Sequence, residues 1–129
     1  DESKSFENKY GVKIINYEHI NLMDDFEDLV ALINSCDLIL TIDNTTAHLA
    51  GSIGKTTYLL LSKYSLWYWL TNKSYSIWYP KVRLFRQKKY GNWQDVIDRV
   101  YDIFLNYNQT LKICYYLLNY TKYLHFYYF

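Results

Sequence analysis

Blocks of apolar residues separated by polar turns run through residues 12–105 and predict alternating strands and helices. Leu38–Ile42 and Thr56–Leu61 are nearly continuous apolar runs of strand length, a pattern typical of parallel strands buried on both faces. Val12–Tyr17, which follows a turn glycine, and Val82–Arg86 predict two further short strands.

Three segments between and after these runs predict helices. The first follows the pair Asp24–Asp25, residue types that cap helices well, and the second follows Asn44 or Thr45 and ends at Gly54. The third is predicted to begin at Asn92. The apolar residues that recur at helical spacing in the first and third helices are Phe26, Leu29, Val30 and Ile33, then Trp93, Val96, Ile97, Val100 and Phe104.

The order strand, helix, strand, helix, strand predicts βαβ units, which build parallel sheets. The predicted fold class is therefore α/β, a Rossmann-like parallel sheet with flanking helices, over one domain of residues 1–105. Residues 106–129 form a tail with seven tyrosines. The pattern leaves the tail open between a helix packed on the domain and a non-native extension, and the tail is too short and polar to predict a membrane span.

The charge balance narrows the classes of partner. Fourteen Lys and Arg against thirteen Asp and Glu give a net charge of +1, which does not favour a nucleic-acid partner. Eleven of the basic residues lie from Lys55 onward, a distribution that suits an anionic ligand or reflects solvated loops. No residues have metal-ligand spacing, so no metal is expected.

The cysteine content predicts a reducing environment. Cys36 and Cys114 lie far apart without a motif, so no disulfide framework is expected, and the cytoplasm is the simplest location. No signal peptide is recognisable. Because the chain begins at Asp1 and not at Met, we expect a fragment or a processed product.

The segment Asp37–Lys55 leads from a buried strand through an acidic, hydroxyl-rich turn into a short helix. The first N–H groups of a helix lack intrahelical acceptors, and together with the helix dipole they favour phosphate. Asp43 can accept hydrogen bonds from sugar hydroxyls, and His48 can donate to a phosphate or hydroxyl. The residues predicted to bind a diphosphate or sugar are Asp43, Asn44, Thr45, Thr46, Ala47 and His48.

A purely structural interpretation of the same segment remains open. Asp43 can be a helix cap, and His48 can be a satisfied core residue, because this pattern is less specific than a Walker loop. Gly51 and Gly54 are predicted to let the helix lie close to the sheet.

Two motifs in this chain resemble a known family. Asp43–Lys55 resembles the Asp-Thr-x-x-Ala-His-Leu-Ala-Gly-Ala-Leu-Gly-Lys-Pro motif of glycosyltransferase family 9, the ADP-heptose lipopolysaccharide heptosyltransferase family. A second set is similar to glycosyltransferase domains fused to tetratricopeptide repeats in bacteria. Its members are Trp67, Trp69, Leu70, Trp78–Pro80, Arg83–Gln87, Trp93, Val96 and Ile97. The resemblance covers about residues 12–105.

The resemblance implies the GT-B fold, of which this chain would be most of the second, nucleotide-sugar-binding domain. It implies a nucleoside-diphosphate sugar as donor substrate, with no cofactor and no obligatory metal, so the helix N-terminus would stabilise the departing diphosphate. Arg83 and Arg86 are possible phosphate contacts, or else charged positions on an edge strand. The catalytic residues are unknown, because the first GT-B domain would carry much of the acceptor site and the general base.

The chain departs from the family pattern near its aromatic segment, Trp67–Tyr79. Leu66 and Tyr68 replace the Asp and Arg that usually flank the first Trp, and Thr56 replaces a Pro. The aromatic segment itself predicts a cover over the end of the sheet, with stacking on a base or sugar ring as the alternative.

The leading hypothesis is therefore a glycosyltransferase fragment that binds a nucleotide sugar and is inactive in isolation, while the full enzyme transfers a sugar to an acceptor hydroxyl. The alternative is a non-catalytic remnant or interaction module of a tetratricopeptide-repeat protein. A third is an unrelated Rossmann-like nucleotide binder. The expected partners are the nucleotide sugar and a missing N-terminal GT-B or repeat domain, with no nucleic acid and no membrane span.

Overall fold

The computed structural model describes residues 25–106 and 113–116. Its elements in chain order are α1 (Phe26–Ser35), β1 (Leu38–Ile42), α2 (Thr45–Ser52), β2 (Thr57–Leu61), a 3₁₀ turn (Trp67–Trp69), β3 (Val82–Arg86), α3 (Gln94–Leu105) and β4 (Ile113–Tyr116). The strand predicted at Val12–Tyr17 lies outside the described residues.

The four strands form one parallel sheet in the order β3-β2-β1-β4. This confirms the α/β class, with a parallel sheet and flanking helices. The order equals that of the first four strands of a classic doubly wound sheet, in which the direction of winding reverses beside β1. Ligands of such sheets bind outside the carboxyl ends of the strands at that reversal. In this chain, Asp43 is the residue that follows the carboxyl end of β1.

The strands are nearly continuous apolar runs because both faces of the sheet are covered. On one face, Leu38 and Phe85 pack with Val96 and Val100 of α3. On the other face, Ile39 packs against α1 and α2, and Leu59, Leu61, Val82 and Leu84 pack with Ala47 and Trp69. The aromatic segment between β2 and β3 thus covers the part of the sheet that a crossover helix covers in a regular βαβ unit.

Residues at the N-terminal ends of α1 and α3 accept the capping hydrogen bonds that the sequence predicts. The carboxylate of Asp25 accepts hydrogen bonds from the N–H groups of Glu27 and Asp28, both at 3.0 Å, as the capping prediction required. Asn92 accepts a hydrogen bond from the N–H of Gln94 at 3.0 Å, although α3 begins two residues after it. The apolar stripe of α1 is narrower than predicted, because Phe26 is 55% exposed.

Part of the predicted tail belongs to the sheet. Ile113–Tyr116 pair in parallel with β1, in the register Leu38↔Ile113 to Thr41↔Tyr116. These four residues are therefore neither a helix nor an extension outside the domain, the two alternatives predicted for the tail. The edge of β1 that faces away from β2 offers unpaired N–H and C=O groups, and a short strand-favouring segment satisfies them.

The prediction of no disulfide framework does not hold at Cys36, which is disulfide-bonded. The chain's other cysteine, Cys114, lies in β4, where its backbone pairs with Ile39. The pairing of β4 with β1 joins segments that are far apart in the sequence, so local patterns do not reveal it. Within residues 25–106 and 113–116, no helix is long and apolar enough to cross a membrane.

Candidate functional site

The N-terminus of α2 opens at the carboxyl end of β1. The side-chain oxygen of Asn44, the N-cap, accepts from the N–H of Ala47 at 3.1 Å and from the hydroxyl of Thr41 at 3.2 Å. Among the described residues, the N–H groups of Thr45 and Thr46 have no acceptor. Two backbone donors at the positive end of a helix are therefore left for a ligand or for water.

The C-terminus of α2 is closed by its own backbone. The N–H of Gly54 donates to the carbonyl of Gly51 at 3.1 Å, and the N–H of Lys55 donates to that of Ala50 at 2.9 Å. This is a Schellman motif, and Gly54 has the positive φ of 72° that the motif requires. A Cβ at Gly54 would meet nothing within 4 Å, so this glycine serves the turn and not a close approach to the sheet.

Gly51 serves a close approach, but to the aromatic segment. A Cβ at this position would lie 2.5 Å from Cγ of Tyr79. The absence of a side chain lets the Tyr79 ring lie against α2, where its hydroxyl is 3.1 Å from Nδ1 of His48. Gly51 thus makes the contact between His48 and Tyr79 possible.

His48 lies half-buried in a cage of aromatic rings. Its imidazole stacks on Trp69 with ring centroids 5.0 Å apart, and the edges of Tyr68 and Tyr79 approach at 5.4 Å and 5.8 Å. Because Nδ1 faces the Tyr79 hydroxyl, Nε2 is the nitrogen that remains for a ligand. The histidine is therefore oriented by its neighbours, whichever tautomer it adopts.

Asp43 faces a neutral donor. The hydroxyl of Tyr68 lies 3.4 Å from a carboxylate oxygen of Asp43. Burial, followed by the charge and hydrogen bond of Asp43 and by Tyr79, raises the pKa of Tyr68, so this phenol stays protonated at neutral pH and can donate. In the described ranges Arg99–Asp95 is the sole ion pair, so no cation neutralises Asp43.

Arg86 holds the aromatic segment in place. Its guanidinium donates to the carbonyl oxygens of Ser62, Trp69 and Leu70 at 3.3, 3.2 and 2.9 Å, and also to the hydroxyl of Ser65. Burial lowers the pKa of Arg86. These bonds join the loop after β2 to the 3₁₀ turn, so a phosphate contact for Arg86 stays a prediction that competes with this structural role.

Arg83 lies apart from this cage in its contacts. Its guanidinium packs over the rings of Tyr75 and Phe85 at 6.0 Å and 5.1 Å from their centroids. Its phosphate role also stays a prediction. The residues that the structure brings together at the opening of α2 are Asp43, His48, Tyr68, Trp69 and Tyr79.

Sequence reasoning missed the roles of Tyr68 and Tyr79. Tyr68 entered only as a departure from the family pattern, and Tyr79 only as part of a motif. The signal available for Tyr79 was its place in a Trp-Tyr-Pro motif, but its partner His48 lies 31 residues away. Contacts over such distances follow from the fold and not from local patterns.

Comparisons with known proteins show that the chain is similar in sequence to a longer protein. No family model and no solved structure matches the chain. Over 90 residues the chain is 39% identical to protein FlbA of Caulobacter vibrioides, an alignment that covers 70% of this chain and 15% of FlbA. The chain is therefore similar to one portion of FlbA and spans a small part of that protein's length.

Proposed function

We propose that this chain binds the diphosphate of a nucleotide sugar at the N-terminus of α2, as the donor-binding part of a glycosyltransferase similar to family 9. The observation that carries the proposal is the pair of N–H groups of Thr45 and Thr46, which have no acceptor in the described part of the chain. They lie at the carboxyl end of β1, beside the reversal of the sheet, where ligands of doubly wound sheets bind.

The neighbouring side chains suit the remaining groups of such a ligand. The carboxylate of Asp43 has no cationic partner among the described residues, so it is available to accept hydrogen bonds from ribose or sugar hydroxyls. The contact of Nδ1 with the Tyr79 hydroxyl orients the His48 ring, and Nε2 can bond a phosphate or hydroxyl oxygen. The helix dipole, and not a metal or a cofactor, supplies the favourable field for the diphosphate.

The proposed reaction of the whole enzyme is transfer of the sugar to an acceptor hydroxyl. The general base and much of the acceptor site would come from an N-terminal GT-B domain or an accompanying repeat domain, so this chain alone transfers no sugar. Incubating it with nucleotide sugars and measuring the products by mass spectrometry tests this, and transfer or donor hydrolysis well above the buffer rate would contradict it.

We also propose a cytoplasmic location. The disulfide at Cys36 argues against it, because disulfides are uncommon in a reducing compartment. Rapid alkylation of cell extracts distinguishes a reducing location from an oxidising one. A Cys36 that is alkylated without prior reduction supports the cytoplasm, and a protected Cys36 contradicts it.

One observation favours the alternative, a non-catalytic interaction module. Several aromatic side chains near the end of the sheet are more than half exposed, among them Tyr64, Trp67 and Trp78. Exposed apolar surface of this kind often marks a contact with another domain or protein. In that case α2 would bind no phosphate.

The substitution Thr45→Pro separates these two functions. Proline is tolerated at the first residue of a helix and prefers an extended residue before it, which Asn44 is, with φ −157° and ψ 178°. The change deletes one open N–H, so the affinity for a nucleoside diphosphate should fall by roughly 1.5–3 kcal/mol, the value of a hydrogen bond to a charged group. The free energy of unfolding should change by less than about 1 kcal/mol.

Thr45→Ala is the matched control, because Thr45 is exposed and alanine keeps the N–H. Calorimetric titration of ADP, GDP and UDP into the three proteins measures the effect, and urea unfolding verifies the fold. Weaker binding by the proline variant alone supports the proposal. Equal affinities in three folded proteins, or no binding by any of them, would contradict it.

A further inference from the structure

We propose that Trp67 is the stacking platform for the nucleobase of the ligand whose diphosphate binds at α2. This inference rests on the proposed function and adds to it the position of the base. Trp67 is 78% exposed, whereas Trp69, two residues later in the same turn, is 1% exposed. One indole thus anchors the 3₁₀ turn in the core, and the other presents its surface to solvent.

The turn that presents Trp67 is fixed from both sides. Arg86 donates to the carbonyl oxygens of Trp69 and Leu70 at its end, and Nε1 of Trp78 donates to the carbonyl of Tyr68 at 3.1 Å. An exposed ring on a rigid support loses little conformational entropy when a ligand stacks on it.

The backbone of this turn is strained where it ends. Leu70 has a φ of 42°, the one positive value for a residue other than glycine in the described ranges. Such backbone is costly for a branched side chain and is concentrated at functional sites. The hydrogen bond from Arg86 to the Leu70 carbonyl, at 2.9 Å, compensates part of the cost and keeps the turn in this shape.

Tyr68 connects the exposed indole to the opening of α2. Its ring meets Trp67 edge to face with centroids 5.7 Å apart and meets His48 at 5.4 Å, and its hydroxyl lies 3.4 Å from Asp43. Trp67 is therefore connected to His48 of α2 through two successive ring contacts, Trp67–Tyr68 and Tyr68–His48. A ligand with its phosphates on Thr45 and Thr46 would place its ribose near Asp43 and its base near Trp67.

A nucleobase fits the exposed indole better than a sugar ring does. The carboxylate of Asp43, which suits sugar hydroxyls, contacts Tyr68 and not Trp67. The side-chain contact found for Trp67 is the one between its ring and that of Tyr68. The single hydrogen-bond donor of an indole, Nε1–H, lies in the ring plane, so the face of the ring stacks on any base without selecting one.

Calorimetry with inorganic pyrophosphate and with ADP, GDP and UDP tests the base platform separately from the phosphate site. The wild-type chain should bind at least one nucleoside diphosphate about tenfold more tightly than pyrophosphate, on the scale of one base–aromatic stack. Trp67→Ala should remove that tenfold advantage and leave the affinity for pyrophosphate unchanged. Trp67→Leu, which keeps apolar bulk without a π face, should behave like Trp67→Ala, while Trp67→Phe should recover most of the loss.

The matched control is Tyr101→Ala on α3, an aromatic side chain that is 52% exposed and makes no contact with the aromatic cage. It should leave all affinities unchanged. If Trp67→Ala and Trp67→Leu bind nucleoside diphosphates like the wild type, or lose pyrophosphate equally, the platform is disproved while the phosphate site stands. If the wild type does not bind pyrophosphate or any of the nucleotides, the proposed function itself fails, and this inference with it.

Discussion

The two ends of α2 differ in whether their terminal backbone groups have hydrogen-bond partners. At the C-terminus, Gly54 and Lys55 donate to the carbonyl oxygens of Gly51 and Ala50, and the side chain of Lys55 extends to the carbonyl of Asn34 at the end of α1. At the N-terminus, Asn44 satisfies Ala47, and in the described residues nothing satisfies Thr45 and Thr46.

The open backbone groups of α2 thus lie at its N-terminus, where the Asn44 side chain satisfies only Ala47, and not at its C-terminus. Both ends carry standard capping residues, but one N-cap side chain satisfies a single N–H group, whereas the Schellman motif satisfies two carbonyl groups. The open end is the one at the carboxyl edge of the sheet, beside Asp43 and the aromatic cage, and the closed end faces α1. Variants at each end should therefore separate stability from binding.

The largest effect on stability is expected from Gly51→Ala. The new Cβ would overlap Tyr79 at its Cγ, near the root of the side chain, so the whole ring must move. Overpacking of this kind costs about 1–3 kcal/mol, more than the roughly 0.5–1 kcal/mol that alanine gains over glycine inside a helix. Urea unfolding should show the loss, and near-ultraviolet circular dichroism should show a change in the aromatic cage.

Gly54→Ala is the control for that change. Its Cβ meets no atom within 4 Å, so its cost is the positive φ alone, roughly 1–2 kcal/mol. It should destabilise the helix end without altering the near-ultraviolet spectrum. Identical spectra for the two variants would show that Gly51 does not make room for Tyr79.

A smaller effect on stability is expected from Asn44, where two substitutions should separate the cap from the ligand. Asn44→Ala removes the acceptor for the Ala47 N–H and should cost about 1 kcal/mol in unfolding experiments. Asn44→Asp keeps that acceptor but puts a carboxylate oxygen where the amide nitrogen is buried and has no partner among the described residues, so it should retain the cap and lose some stability through burial of the charge. The added carboxylate beside Asp43 should also weaken the binding of a nucleoside diphosphate by charge repulsion.

Titration calorimetry with UDP and ADP measures the second part of this prediction. If Asn44→Asp binds both nucleotides as the wild type does, an anion does not bind at this helix end, and the contrast between the two ends of α2 loses its functional meaning.

The smallest effect is expected from Tyr68→Phe, which deletes the donor to Asp43. The bond is long, at 3.4 Å, so its loss should cost about 0.5 kcal/mol, the lower end of the range for hydrogen bonds. Because the pKa of Tyr68 in the folded protein is raised above the usual value of about 10, the contribution of its proton is fully present below that pH. It is lost as the pH rises through the folded pKa.

Unfolding free energies of the wild type and Tyr68→Phe between pH 7 and pH 11 test both statements. The wild type should be the more stable protein at neutral pH, and its advantage should shrink above about pH 10. A difference that stays constant across this range would show that Tyr68 is not protonated preferentially in the folded state.

Three of the strands, the helices and their caps could be predicted from the sequence. Leu38–Ile42 and Val82–Arg86 form strands with the predicted bounds, because their apolar residues are needed on both faces of a parallel sheet. Asp25, Asn44 and Gly54 act as predicted, because capping depends on residues within a few positions of one another.

The groups that meet at the candidate site could not be predicted from the sequence. The sequence named Asp43 and His48, but Tyr68 reaches Asp43 across 25 positions and Tyr79 reaches His48 across 31. The same holds for Arg86, whose guanidinium spans 16 to 24 positions to reach the loop carbonyls, and for β4, which joins the sheet from the predicted tail. Local patterns carry no information about such contacts, because they form only when the sheet and its crossovers bring distant segments together.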